Sequence, residues 1–355
     1  MNVPGVVAQV APVLVFLLAI TVVAEVAQLA GVFDALGVLA ARLGRGRVLF
    51  MWLWVVLVAC AATVVLSLDT TAVLLTPVVL AAALRLGIAP LPFAMTTVWL
   101  ANTASLLLPV SNLTNLLAVY HLDGGVRAYL ALSWRPALAA IAVTVALLWW
   151  LHRRALRGTY AVPAHEPPPD RVLFRVAAAA CAALGPAFAL GAPPWAAATV
   201  AAVVLAGTLA VRQPRRLREV VVPWRMVVVL VAVFAVLQTA LRFGLEDVLR
   251  SVAGAGAAPS DLLRLAGVGA LAANGVNNLP AYLALEPAAA GEPVRLMALL
   301  IGVGVAPVVT LWASLATLLW RERCTRAGVR ISARRFASHG VLLAVPATVA
   351  AVLVL

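Results

Sequence analysis

The sequence predicts an all-α protein: a polytopic membrane helix bundle with two inverted repeats, each holding a re-entrant hairpin and a broken helix. Composition is the first observation behind it. Of 355 residues, 65% are hydrophobic and 11% charged, and the mean hydropathy is +1.07, far outside the range of water-soluble domains. Length is the second. A bilayer core about 30 Å thick needs roughly 20 apolar residues per helical crossing, and the chain offers about nine or ten such stretches between short loops. The third is interruption: two regions of apolar sequence are broken by Asp, Asn, Ser and Pro. Strand-like alternation is absent, so helices rather than a barrel must satisfy the backbone in lipid.

A net charge of +13, all of its basic side chains Arg, would suggest nucleic acid in a soluble chain. Here the arginines fall in loops between apolar runs, as the positive-inside rule demands, and no nucleic-acid partner is expected. Cys60, Cys181 and Cys324 are scattered without CxxC spacing or a neighbouring His, so neither a disulfide framework nor a metal site is expected. No phosphate loop or Ser, His and Asp arrangement is present; the chain is expected to be neither an enzyme nor an ATP-driven pump, with no cofactor. Met1 to Val10 has no basic stretch before its apolar run, which predicts an uncleaved first span.

Repeat one is placed at residues 1–151. A span from about Val6 to Ala30 leads into Phe33 to Leu43, whose apolar spacing fits a helix lying in the interface. A hairpin follows at about 48–86, its second limb Thr70 to Leu84 only about 22 Å long at 1.5 Å per residue, too short to cross comfortably. A broken helix at about 92–121 carries Asn102, Ser111, Asn112 and Asn115 where lipid-facing helices are apolar. Residues 152–225 hold a cytoplasmic loop and two plain spans, about Val172 to Leu190 and Trp195 to Val211. Repeat two, 226–355, begins with a span at Met226 to Leu241 and a short amphipathic piece at Leu245 to Val252. A hairpin at about 261–291 with Asn274, Asn277 and Asn278 at its tip comes next, then a broken helix at about 294–320, a basic loop and a last span.

The repeat is visible in residues too. SNLTNLL at Ser111 to Leu117 lines up with ASLATLL at Ala313 to Leu319, each about 40 residues after a hairpin tip. An odd number of crossings between the halves would invert them, the plan of many secondary transporters. Hairpin parity puts 20 of the 26 Arg on one side, at 42–47, 85, 153–175, 212–225 and 321–335. That side is expected to be cytoplasmic and both termini outside.

Asp69 is the sharpest single residue, because a carboxylate amid apolar sequence costs several kcal/mol unless paired, hydrated or protonated. It can carry a coupling proton or bind a cation; the structural alternative is an N-cap for Thr70 to Leu84. Glu25, late in the first span, is the second proton-coupling candidate, with pairing to an Arg as its structural alternative. Asp69, Thr70, Asn102, Ser111, Asn112, Asn115, Asn277, Asn278, Ser314 and Thr317 are the candidate solute and ion ligands. Broken-helix N-termini at the midplane favour a solute with oxygens or negative charge. The four histidines fall at segment ends or in loops, and none is expected to be a ligand. Gly302 and Gly304 read as a helix-packing pair.

At these residues the chain resembles the arsenite permease family of the ion transporter superfamily. The matching segments are LSLDTTAVLLTPVVLA at Leu66 to Ala81, ANTASLLLPVSNLTN at Ala101 to Asn115, VNNLPAYL at Val276 to Leu283, SLATLLW at Ser314 to Trp320 and RISARRF at Arg330 to Phe336. The resemblance implies proton-coupled efflux of the neutral trihydroxide of arsenic(III) or antimony(III) by alternating access, with H+ favoured over Na+ as coupling ion. It also implies a bacterial cytoplasmic membrane and a small polar or anionic solute; a homodimer is a further expectation. The family usually has Asn at the position of Leu68, an acid at Asn102, Asp and Lys at Gly304 and Val308, and Pro and Gly at Leu311 and Ala313. An organic or inorganic anion symporter or antiporter on the same scaffold is the first alternative, and a non-transporting membrane scaffold the second.

Overall fold

The structure is a computed structural model that describes residues 3–65, 67–162, 170–190, 192–220, 246–289 and 291–355, with scattered positions between 224 and 244. The expected span at Met226 to Leu241 and His165 of the hydrophilic linker lie outside the described residues. Among the described residues every regular element is a helix, and the chain is a polytopic bundle. In lipid a segment must bond its own backbone, and a helix is the one local way to do so.

Helix α1 (Val3–Leu29) turns through 70° into α2 (Val32–Leu43). The hinge is Gly31, at φ +80, a left-handed backbone that residues with a Cβ rarely adopt. The first hairpin is α3 (Val48–Val65) with α4 (Leu68–Arg85). Its second limb is 18 residues, about 27 Å at 1.5 Å per residue. Helix begins at Leu68 rather than Thr70, so this limb is long and apolar enough to cross, and length alone does not make the hairpin re-entrant.

The first broken segment is α5 (Leu91–Thr103), two 3-10 turns at Ala104–Leu106 and Pro109–Ser111, and α6 (Leu113–Val119). Then come α7 (Gly125–Leu156), α8 (Arg171–Ala189) and α9 (Pro194–Arg212). Asp170 accepts from the Val172 and Leu173 amides at the start of α8 and pairs with Arg212 at the end of α9. The Arg212 guanidinium holds that carboxyl below its usual range.

The second half follows the same order. Helix α10 (Glu246–Ala253) precedes a hairpin of α11 (Pro259–Val276) and α12 (Asn278–Ala289). The second broken segment is α13 (Pro293–Val305) and α14 (Leu315–Arg326), and α15 (Ala333–Leu353) closes the chain. Two differences from expectation stand out. Among the described residues five helices are long and apolar enough to cross, six if the bent α1 and α2 count as one, because the broken segments divide into half-helices too short for the roughly 20-residue requirement. The basic run at 321–326 continues α14 instead of opening a loop, its charge offset by Glu25 and Glu322, which pair with Arg323 and Arg326.

Two cores organise the bundle. One gathers Leu17, Ile20 and Val23 of α1 with Leu173 of α8 and Leu205 of α9. The other gathers Trp52, Trp99, Tyr129, Tyr282 and Phe336 from the hairpins, α5, α7 and α15. Helices α4 and α14 serve both: Val73 and Leu319 face the first core, Leu80 and Trp320 the second. The half-helices α5 and α13 are enclosed on every side, from Pro92 to Thr103 and from Arg295 to Val305. Such enclosure explains the polar residues in α5. Thr96, Thr103 and Asn102 each donate to a carbonyl one turn back, so the two threonines cost little away from water, while Asn102 keeps an unpaired Oδ1.

Close approach is bought by glycine at two places. A Cβ on Gly302 would lie 2.3 Å from the Ala266 carbonyl oxygen, and one on Gly340 would lie 2.1 Å from that of Val308. The first seats α13 on α11; the second seats the second break on α15. Gly304 does not share the packing role of Gly302: its nearest neighbour would be the Asn112 amide nitrogen at 4.0 Å.

Candidate functional site

The beginnings of α4, α6, α12 and α14, four in all, meet at one cavity of about 380 Å³, with the start of α9 beside them. Its wall includes Ser67, Leu68 and Asp69 at the start of α4, Asn112 and Leu113 at α6, Asn277, Asn278 and Leu279 at α12, and Leu315 at α14. Phe16 of α1 and Pro194 and Trp195 at the start of α9 complete it from the other core. The cavity therefore lies where the two cores meet. A helix N-terminus carries up to roughly half a positive charge, so the four present a field favouring oxygen-rich solutes, tempered by the Asp69 carboxylate. No basic side chain is among the described wall residues.

Each beginning is capped by its own sequence. Ser67 is the N-cap of α4, its Oγ accepting from the Thr70 amide at 3.2 Å and meeting Thr70 Oγ1 at 3.0 Å. This corrects the reading of Asp69 as the cap: the carboxylate sits in the first turn and is left for the cavity. Ser314 repeats the device on α14, accepting from the Thr317 amide at 3.1 Å with the two hydroxyls 2.9 Å apart. Asn112 caps α6 by accepting from the Thr114 amide at 3.3 Å. Asn112 and Ser314 are the positions that the two aligned segments place opposite each other, and both are caps.

The halves cross at Asp69, whose carboxylate meets the backbone N–H of Ala316 in the first turn of α14. Its Oδ1 is buried with no hydrogen-bond partner among the described residues, as are Asn112 Nδ2, Thr114 Oγ1, Asn115 Oδ1 and Asn102 Oδ1. The first break is shaped from within and from α7. Asn115 Nδ2 donates to the Ser105 and Leu108 carbonyls, Tyr129 to Leu106 and Ser133 to Leu107. Ser111 donates to Val64 O at 2.8 Å, tying the break to the hairpin turn. The second break is fastened to its hairpin by far more. Asn274 Nδ2 donates to Ala306 O while its Oδ1 accepts from the Val309 and Thr310 amides. Thr310 Oγ1 returns a bond to Asn274 O, Asn277 donates to Trp312 O, and the Asn278 amide donates to Ala313 O.

Of the candidate ligands, Asp69, Asn112, Asn277 and Asn278 reach the cavity wall. Thr70, Ser314 and Thr317 serve as cap partners, and Asn102, Ser111 and Asn115 hold backbone of α5, the hairpin turn and the break. Glu25 lies elsewhere, paired with Arg323 and Arg326 near the end of α14. Ser67, Asn274, Phe16 and Trp195 were missed. Ser67 had a signal, a Ser three residues before a Thr at a helix start; Phe16 and Trp195 had none, since an apolar cavity wall reads like a lipid face.

A multi-pass bundle whose broken helices open onto a shared cavity with polar residues at the helix starts defines a membrane transporter. Residues 3–317 match the citrate transporter family, CitMHS, and the chain belongs to it. Curated relatives include the arsenical pump membrane protein of Yersinia enterocolitica, 29% identical over 93% of this chain and 82% of that protein. The arsenical pump membrane protein of Escherichia coli K12 is 27% identical over the same shares.

Proposed function

We propose that the chain is a secondary carrier exporting a neutral arsenic(III) or antimony(III) trihydroxide in exchange for protons, by alternating access. The observation that carries this reading is the wall chemistry: three asparagines, a serine and a carboxylate at three helix beginnings, with no arginine among the described wall residues. A trihydroxide donates and accepts hydrogen bonds without net charge, and Asn112 Nδ2 and Asp69 Oδ1 have unused capacity for both. Asp69 takes the coupling proton, since solute and proton would then compete at one carboxylate. The names of the relatives support the solute, and the meeting of two cores at the cavity supports relative motion of the two as the access step. Two arginine-bearing stretches assigned to the cytoplasmic side, 42–47 and 153–160, are in contact, which favours that orientation in a bacterial inner membrane.

A second reading, a carboxylate or inorganic anion carrier, draws on the family description and on the convergent N-termini. A tricarboxylate would bring about three charges to a site where the described wall residues offer helix ends and no basic side chain, which disfavours it. Everted vesicles with an imposed proton gradient separate the two: arsenite accumulation above an empty-vector control is expected, with no citrate uptake. Citrate uptake without arsenite uptake would replace the first reading by the second. Asp69→Asn is expected to abolish gradient-driven accumulation; full coupled transport by that variant would remove Asp69 from the proton role.

A further inference from the structure

A second large cavity, about 450 Å³, lies far from the broken helices, at the turn between α2 and α3. Arg42 and Arg45 stand at its head, and Phe50, Leu53, Trp54 and Leu57 run down its side. Those four occupy i, i+3, i+4 and i+7 on α3, one face of the helix, and are 40–57% exposed. We propose that this groove binds an anionic diacyl phospholipid, headgroup phosphate on the two guanidinium groups and acyl chain along the α3 stripe.

Several observations make it a built site rather than a lipid-facing helix that begins near an arginine. The turn that carries the arginines is fastened at three points to the segment after α7: Val48 N–H to Gly158 O at 3.0 Å, Tyr160 N–H to Gly46 O at 3.0 Å, and Tyr160 O–H to Ala41 O at 2.6 Å. Gly44 allows this contact, since a Cβ there would stand 2.1 Å from the Tyr160 hydroxyl oxygen and 2.7 Å from Met51 Cβ. The backbone that carries the two arginines is thus held in place before any ligand arrives, which lowers the ordering cost of binding. Arg47 is engaged by a groove residue, its guanidinium carbon 5.5 Å from the centre of the Phe50 ring. The side chains of Arg42 and Arg45 make no hydrogen bond or ion pair among the described residues, and no acid is among the described residues that line the groove.

Charge and shape then point the same way. Two cations above an apolar stripe complement a phosphodiester above a hydrocarbon tail, and basic pockets at the cytoplasmic face of helical membrane proteins take anionic headgroups in this manner. Arg153, Arg154 and Arg157 at the end of α7 adjoin the same turn through the 158–160 contact and add to the positive field. From Phe50 to Leu57 the stripe runs about 10 Å, a third of the hydrocarbon thickness, enough to fix the upper part of one acyl chain.

Native mass spectrometry of the full chain in mild detergent tests the site, with phosphatidylglycerol, phosphatidylethanolamine or inorganic phosphate added. Phosphatidylglycerol adducts are expected in clear preference to phosphatidylethanolamine, and Arg42→Gln with Arg45→Gln should weaken them about 30-fold, at about 1 kcal/mol per arginine near the surface. Arg127→Gln, at the opposite end of α7 from that turn, should leave them unchanged. Equal binding of the two lipids would overturn the proposal, as would wild-type affinity in the double variant. So would displacement by equimolar phosphate, which would mean a small-anion site, or adducts confined to a dimer that the double variant dissociates, which would mean an interface between copies. Should the double variant fail to fold, the wild-type lipid preference and the phosphate competition decide it.

Discussion

The two hairpin turns contrast in how they are held. The second is sewn to its break: Asn274 uses both amide hydrogens and accepts two backbone N–H groups, while Asn277, Asn278 and Thr310 add further bonds. The first is tied to its break through Ser111, and the buried polar atoms around it include five with no partner among the described residues. A buried unsatisfied group costs about 1–3 kcal/mol, so the first half holds unused capacity while the second half has spent its own on rigidity. The difference teaches a division of labour. The same helical plan offers a reactive tip with Asp69 and a fixed tip with Asn274, and the cavity lies between them.

Removing the fixed tip should have the largest effect. Asn274→Leu strands Ala306 O and the Val309 and Thr310 amides, an expected loss of about 3–6 kcal/mol. A thermal scan of purified protein should show a midpoint lower by on the order of 10 °C; a shift of a degree or two would mean that the second turn is no more rigid than the first. Next comes Asn112→Asp, which keeps the oxygen that caps α6 but replaces the free Nδ2 by a second carboxylate oxygen facing Asp69. Flux should fall about tenfold or more, equivalent to about 1.4 kcal/mol, with the thermal midpoint nearly unchanged. Wild-type flux would show that the unpaired amide is not used.

The fold was legible in the sequence because in lipid an apolar run of sufficient length has only one local way to satisfy its backbone. Both hairpins and both breaks lie where Asp69, Asn112, Asn277 and Ser314 interrupt such runs. What stayed hidden was pairing across long separations. Glu25 meets Arg323 almost 300 residues away, which is why the basic run 321–326 is helix rather than loop. Asp69 reaches the Ala316 amide across the two halves, and no spacing announces that. The cap at Ser67 was legible but overlooked, since the charge at Asp69 drew the turn two residues too late. Phe16 and Trp195 could not be singled out, because an apolar side chain looks the same facing lipid or a cavity.

Ser111→Ala should have the smallest effect and sharpens the contrast most. It removes the bond between the first break and Val64 O, leaving a carbonyl at the end of α3 that can relax toward neighbouring groups, so the expected cost is about 1 kcal/mol or less. Stability is therefore the wrong readout. Hydrogen exchange is the right one: the amides around Ser67 to Thr70 should exchange faster in the variant, while those at Asn277 and Asn278 keep their wild-type rates, because local opening follows local bonding. A loss as large as that of Asn274→Leu would show that Ser111 holds the first turn as firmly as Asn274 holds the second and would erase the distinction between the tips. Faster exchange at both turns would show instead that the tips open together, with Asp69 and Ala316 as the point through which one half moves the other.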